Sequence, residues 1–172
     1  MNSDNWILKI NLVGVPHSLA MDLTHLVNPN RNSICSVLDT IGVDVNTENI
    51  RVDNEIVRMI FCNVNADNKY RELRQAYYQG AFAAVFFFLK DDLEALNKIR
   101  DLHTEFTLSS SEDSQRALVG IVDETNGNKK SQAEDLAKIL GIPYYEMKNT
   151  DNIGFNEMIT ELVSIHIDSL KS

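Results

Sequence analysis

The sequence predicts an α/β protein whose mostly parallel sheet is covered by helices on both faces. Strand-like and helix-like segments alternate along the whole chain, which is typical of β-α-β connections. One pair of strand-like segments is joined only by Asp53-Asn54, which predicts a single antiparallel hairpin. Ligands of such folds bind at the carboxyl ends of the strands, so the loops after the strands are the candidate site.

Six strands are predicted, each from a short run rich in β-branched or other apolar residues. In chain order they are Trp6–Val13, Val43–Val52, Glu55–Cys62, Ala83–Leu89, Ala117–Val122 and Tyr144–Met147. The fourth, Ala-Ala-Val-Phe-Phe-Phe-Leu, is continuously apolar, as expected for a strand covered on both faces.

Five helices are predicted between and after these strands. They are roughly Leu19–Val27, Lys69–Gln79, a helix opened by Asp91-Asp-Leu-Glu94 that continues to about Phe106, a helix opened by Ser131-Gln-Ala-Glu134 that ends at Gly141, and a last helix. Apolar residues of the last helix recur at spacings of three and four, which predicts that one face is buried. Those residues are Phe155, Met158, Ile159, Leu162, Val163 and Ile167.

Length and composition favour one cytoplasmic domain over residues 1–172. The net charge of −9 argues against nucleic acid or an anionic membrane as the main partner, because both attract basic surfaces. No apolar run approaches the roughly 20 residues that span a bilayer, and the start has no basic leader. Two cysteines, Cys35 and Cys62, favour a reduced protein, and the four histidines lack metal-ligand spacing, so no metal site is expected.

Two segments resemble the Rab-type small GTPases of the Ras superfamily. Thr40-Ile-Gly-Val-Asp-Val45 resembles the Thr-Ile-Gly-Val-Asp-Phe run that follows the family's first switch loop. The stretch Tyr70–Ala81 ends in Tyr-Tyr-Gln-Gly-Ala, where the family has Tyr-Tyr-Arg-Gly-Ala after its second switch. The resemblance runs from Lys9 to the last helix and implies the three-layer α/β/α fold of P-loop NTPases, with a six-stranded sheet and one antiparallel strand.

The run that corresponds to the family's phosphate-binding loop is altered. That loop has the form G-x-x-x-x-G-K-[ST], in which the lysine reaches the phosphates and the hydroxyl binds magnesium. Gly14 keeps the first glycine, whereas Leu19, Ala20 and Met21 replace the second glycine, the lysine and the hydroxyl residue. A left-handed turn at leucine costs about 1–2 kcal/mol, and a thioether does not bind a hard cation.

The family's hydrolysis motif, Trp-Asp-Thr-Ala-Gly-Gln-Glu, corresponds to Cys62-Asn-Val-Asn-Ala-Asp-Asn68. The resemblance places Asn63 at the aspartate of the magnesium shell, Ala66 at the glycine near the γ-phosphate and Asp67 at the glutamine that orients water. Thr40 matches the threonine that binds magnesium, although a role at the start of the strand is the simpler interpretation.

The guanine-reading motifs are also altered. Ile121 and Val122 replace the asparagine and lysine of Asn-Lys-x-Asp, and Glu124 is at best the counterpart of its aspartate. Lys148-Asn-Thr150 takes the place of Ser-Ala-Lys. The sequence therefore predicts a pseudo-GTPase that has no cofactor and is not an enzyme.

The predicted role is protein–protein interaction or scaffolding, with a protein partner and a setting in intracellular transport that the resemblance alone suggests. The predicted interaction surface comprises Ile41, Val45, Cys62, Tyr70, Tyr77 and Tyr78. The last six residues contain no cysteine for a lipid anchor, so no direct membrane anchor is expected in this chain. The alternative is an atypical small GTPase that binds GTP or GDP with magnesium through other contacts, such as Lys129, Lys130 or Lys148. A receiver-like α/β domain fits less well, because the loops after Val13 and Val122 lack its paired acids and its lysine.

Overall fold

The computed structural model describes residues 6–15, 41–89, 92–122, 130–148 and 152–172. Six strands form one sheet in the order β2-β3-β1-β4-β5-β6. Their bounds are β1 Trp6–Val13, β2 Val43–Val52, β3 Glu55–Val64, β4 Ala83–Leu89, β5 Gln115–Val122 and β6 Tyr144–Lys148. Every neighbouring pair is parallel except β2 and β3, which confirms the predicted fold class.

The described part of the chain contains four α-helices. They are α1 Arg71–Tyr78, α2 Leu93–Ser109, α3 Lys130–Leu140 and α4 Asn152–Lys171, and a 3-10 turn at Asn68–Tyr70 precedes α1. Asp92 caps α2, because its carboxylate accepts a hydrogen bond of 2.9 Å from the backbone N–H of Ala95. None of these helices is long and apolar enough to cross a membrane.

Several predicted boundaries differ from the observed ones; β5 begins at Gln115, β6 ends at Lys148 and α2 ends at Ser109. The strand predicted to end at Cys62 continues to Val64, and the second predicted helix begins with a 3-10 turn. Helix α3 already includes Lys130, so Ser131 is inside the helix and is not its cap. The predicted helix Leu19–Val27 lies outside the described residues.

The sheet separates two apolar cores. Alternate residues of β1, such as Ile10, face a core completed by α4, while Val13 belongs to the opposite core with residues of α2 and α3. All six α4 residues predicted to be buried are buried. The hairpin turn places Asp53 at a φ of 53°, a left-handed conformation that aspartate tolerates better than most residues.

Candidate functional site

The carboxyl ends of β1 and β3 bring the first two substituted motifs together. Val13 and Val64 are register partners at these strand ends, so Gly14 and the segment after β3 are neighbours. A Cβ atom on Gly14 would lie 3.0 Å from the Phe87 carbonyl oxygen and 3.9 Å from Cβ of Ala66. A cavity of about 280 Å³ opens beside them, and Lys98 of α2 is part of its lining.

Gly14 has a φ of +74°, which a residue with a side chain rarely adopts. Together with the close Phe87 carbonyl, this conformation requires glycine at the turn that leaves β1. The backbone therefore fits the strand-to-loop turn with which the family's phosphate-binding loop begins. Three substituted positions, Leu19, Ala20 and Met21, and the retained Thr40 lie outside the described residues.

Asn63 does not supply the charge that the family uses at its position. The side chain is 5% exposed, and its Nδ2 atom has no hydrogen-bond partner among the residues of the described ranges. Its register partner on β2 is Asp44, whose carboxylate accepts a bond of 2.9 Å from Nδ2 of Asn46. An amide at position 63 is a neutral donor and acceptor, so it does not replace a carboxylate in a magnesium shell.

The segment after β3 is folded into a hydrogen-bonded turn. The Asp67 backbone N–H donates to Oδ1 of Asn65 at 2.8 Å, and Oδ1 of Asp67 accepts from the backbone N–H of Lys69 at 3.0 Å. Asp67 therefore caps the 3-10 turn that precedes α1. Ala66 is half-buried between this turn and Gly14.

A buried ion pair fixes this segment against α2. Arg74 of α1 is 1% exposed, and its Nε and Nη2 atoms donate to the two carboxylate oxygens of Glu105 at 2.9 and 3.0 Å. Its Nη1 atom donates to the carbonyl oxygens of Asn65 at 2.9 Å and Asp67 at 2.6 Å. We call this arrangement the Arg74 clamp. It joins α1, α2 and the segment after β3 in one conformation.

Sequence reasoning missed both partners of the Arg74 clamp. The available signal was that Arg74 shares the helical stripe of Tyr70, Tyr77 and Tyr78, at spacings of three and four. An arginine on a stripe of buried and half-buried tyrosines indicates an internal carboxylate, although Glu105 is 31 residues away in the chain.

The positions that correspond to the guanine-reading motifs lie at the carboxyl ends of β5 and β6, separated from β1 by strand β4. Val122 and Lys148 are register partners at the ends of β5 and β6, and Ile121 next to them is buried. Glu124 lies outside the described residues. Neither aliphatic side chain donates or accepts hydrogen bonds, so positions 121 and 122 do not read a base as the family's asparagine and lysine do.

The predicted interaction surface is partly exposed. Ile41 and Val45 are 58% and 40% exposed, and Tyr70 and Tyr77 are half-buried. The Tyr70 ring packs directly over Gly42, where an added Cβ would approach it to 2.4 Å. The Asn65 backbone N–H also donates to the Gly42 carbonyl at 2.9 Å. The start of β2 and the segment after β3 are thus one continuous surface.

Cys62 and Tyr78 do not belong to that surface. They are 1% and 0% exposed, because both side chains pack in the core between the sheet, α1 and α2. Burial raises the pKa of the Cys62 thiol to about 11, so it is a neutral core group. Burial also raises the pKa of Tyr78, and the negative charge of Glu105 raises it further.

Comparison with known proteins identifies the family. The sequence model of the Ras family matches residues 32–167, well over half of the chain. The Ras-related protein SEC4 of Saccharomyces cerevisiae is 29% identical over 143 residues, which cover 79% of this chain and 66% of SEC4. The Ras-related protein RABD2b of Arabidopsis thaliana is 27% identical, with 69% of this chain and 61% of RABD2b covered. The GTP-binding protein YPTM1 of Zea mays is 23% identical, with 91% of this chain and 76% of YPTM1 covered. The matched part of the chain thus spans just under two thirds of the length of SEC4 and of RABD2b.

Two expectations from the sequence are wrong in view of these matches. We expected no cofactor and no enzyme, whereas Ras-family proteins bind GTP and GDP with magnesium and hydrolyse GTP. The error was to treat each substituted side chain as indispensable, although backbone N–H groups at a helix start also bind phosphate. The predicted resemblance is confirmed: this chain belongs to the Ras family of small GTPases, and its relatives are of the Rab type.

Proposed function

We propose that this Ras-family protein is an atypical, Rab-like interaction module of intracellular transport, in which a guanine nucleotide is held by contacts that differ from the family's. The observation that carries this proposal is the Arg74 clamp. In the family, the segment after β3 responds to the γ-phosphate. Here its carbonyl groups are bonded to a buried arginine that is paired with α2.

The clamp presents a surface of fixed shape to a partner. We place Ile41, Val45, Tyr70 and Tyr77 in this surface, because they are exposed or half-buried and flank the junction between Gly42 and Asn65. Tyrosines combine a large apolar area with a polar tip, which suits the centre of an interface. The partner would therefore meet a preorganised site and lose less entropy on binding.

The backbone of the described site suits a nucleotide better than its side chains do. The Gly14 turn fits the start of a phosphate-binding loop, but position 63 offers no carboxylate and positions 121 and 122 no base-reading group. Lys148 is a cation at the end of β6, next to Val122. A bound nucleotide would supply the negative phosphates and the purine, and these residues would contact it.

Partner recovery from cells tests the interaction role. The tagged chain, loaded with GDP or a non-hydrolysable GTP analogue, is compared with Val45→Asp and with Leu108→Asp. Leu108 is the matched control, because it is 82% exposed on α2, which contributes nothing to the proposed surface. We expect Val45→Asp to lose at least tenfold of a partner set that Leu108→Asp keeps.

The recovered set should contain components of intracellular transport and should differ little between the two nucleotides. Equal recovery by all three proteins would refute the proposed surface. A partner set that requires the GTP analogue would refute the fixed-shape reasoning, and a set without transport components would refute the cellular role.

A further inference from the structure

The side of the sheet that carries α1 continues below that helix as an exposed surface. Register partners point to the same side of a sheet, and so do residues two apart on one strand. Ile7, Arg58 and Asn49 are partners on β1, β3 and β2, and Ile56 pairs with Arg51 one row lower. We call these five residues the lower sheet face.

Helix α1 covers only the rows above this face. Its eight residues make it about 12 Å long, against roughly 33 Å for a ten-residue strand. Lys9 donates from Nζ to the Gln79 carbonyl, and Asn11 donates to the Tyr77 carbonyl at 3.2 Å. The end of α1 and the residue after it therefore cover the rows of the sheet that contain Lys9 and Asn11. Below them Ile7 and Ile56 are 62% and 54% exposed.

The lower sheet face combines apolar and positively charged groups. A groove of about 600 Å³ runs along it, lined by residues that include Trp6, Ile7, Ile56 and Arg58. Arg51 and Arg58 are exposed, and the described strand residues of β1, β2 and β3 that point to this side include no carboxylate. Glu48 and Trp6 also line the groove, but both belong to the opposite side of the sheet, where Trp6 packs against the core completed by α4.

We propose that the lower sheet face binds an acidic amphipathic helix of a partner protein. Strand spacing places Ile7 and Ile56 roughly 8 Å apart, between the distances of i,i+4 and i,i+7 residues along a helix. Two apolar residues of such a helix would cover them, and its flanking carboxylates would meet Arg51 and Arg58. In a chain with a net charge of −9, a local basic face selects an acidic partner, and it repels the identical face of a second copy in a twofold dimer.

This surface is separate from the one proposed above, since it shares no residue with Ile41, Val45, Tyr70 and Tyr77. The two proposals therefore fail independently. Val45→Asp should leave binding at the lower sheet face unchanged.

Trp6 packs on the α4 side of the sheet, so binding is read instead from the fluorescence anisotropy of a fluorescein label on the peptide. The probe is a synthetic 18-residue helical peptide with leucines at i, i+4 and i+7 and glutamates beside them. A peptide with the same leucines and lysines in place of the glutamates is its control. We expect saturable binding of the glutamate peptide, at least tenfold tighter than the lysine peptide, and weaker binding as salt is raised from 0.05 to 0.5 M.

The double variant Arg51→Glu, Arg58→Glu should weaken the glutamate peptide at least tenfold and favour the lysine peptide. Arg100→Glu, Lys138→Glu has the same net charge on exposed positions of α2 and α3 and should bind as wild type does. Equal affinity for both peptides, no change in the double variant, or no rise in the anisotropy of the labelled glutamate peptide would each overturn the proposal. Dimers that sediment in wild type but not in the double variant would also overturn it, in favour of a second copy of the chain.

Discussion

The Arg74 clamp predicts a large and strongly non-additive loss of stability when one partner is removed. Replacing Glu105 by leucine leaves Arg74, which is 1% exposed, with an uncompensated buried charge. Breaking such a pair costs about 3–5 kcal/mol in the free energy of unfolding. Arg71 also approaches Glu105 at 3.6 Å, but it is 66% exposed and contributes little.

Arg74→Met should cost somewhat more, about 5 kcal/mol, because it leaves the carboxylate unpaired and also removes the donors of two backbone carbonyls. The double variant Arg74→Met, Glu105→Leu contains no buried charge at this place. Its remaining defect is the two carbonyls, at about 1 kcal/mol each, so we expect a loss of about 2 kcal/mol. The double variant should thus be more stable than either single variant.

Urea unfolding of the four proteins measures these differences from the midpoint and slope of each transition. Glu105→Gln serves as a milder variant if a single substitution unfolds the chain, since domains have only about 5–15 kcal/mol of stability. Lys138→Met is the matched control, because its 3.9 Å contact with Asp135 is exposed and worth at most about 1 kcal/mol. Additive losses, or a loss below about 1 kcal/mol for Glu105→Leu, would refute the reasoning.

Three further predictions follow from particular contacts. Gly42→Ala should lower the free energy of unfolding in urea by about 1 kcal/mol or more beyond the loss from Gly80→Ala. Both glycines have a positive φ, but only at Gly42 would a Cβ meet the Tyr70 ring. Equal losses of stability would contradict this packing. Burial and the charge of Arg116 lower the pKa of His103, so the folded state disfavours its protonation and stability should fall as pH drops below about 6.5, by at most about 1.4 kcal/mol per unit. His103→Gln should flatten that slope in urea titrations at several pH values, and an unchanged slope would assign it elsewhere. Saturating GDP at 100 times its Kd should stabilise the chain by about 2.7 kcal/mol, measured as a rise in Tm, and an unchanged Tm would contradict nucleotide binding.

The fold could be predicted from the sequence because its signals are local and periodic. Apolar runs such as Ala83–Leu89 and the three-and-four spacing of the last helix specify burial directly, and both are observed. The missed end of β3 has a physical reason. Asn63 is polar and suggests a loop, but the ladders with β1 and β2 extend the strand through it.

The candidate site could be predicted only in part, because it depends on contacts distant in the chain. Burial of Cys62 and Tyr78 is set by α1 and α2 packing together, which no local pattern shows. The position of Arg74 on its helix indicates an internal carboxylate, but nothing local identifies that partner as Glu105, 31 residues away in the chain. The substitutions in the nucleotide-binding motifs could be identified from the sequence, but they did not decide whether backbone groups still bind a nucleotide.

The clamp also sets how far a nucleotide can control the proposed surface. Moving α1 away from α2 requires breaking the pair between Arg74 and Glu105, at about 3–5 kcal/mol. A ligand shifts an equilibrium only by its difference in affinity for the two states, so a nucleotide would need to prefer the opened form by more than about 150-fold. The family creates such a preference through contacts of magnesium and the γ-phosphate with its switch segments. Asn63 and Ala66 offer neither a carboxylate nor a close glycine for those contacts, so partner binding should depend weakly on which nucleotide is bound.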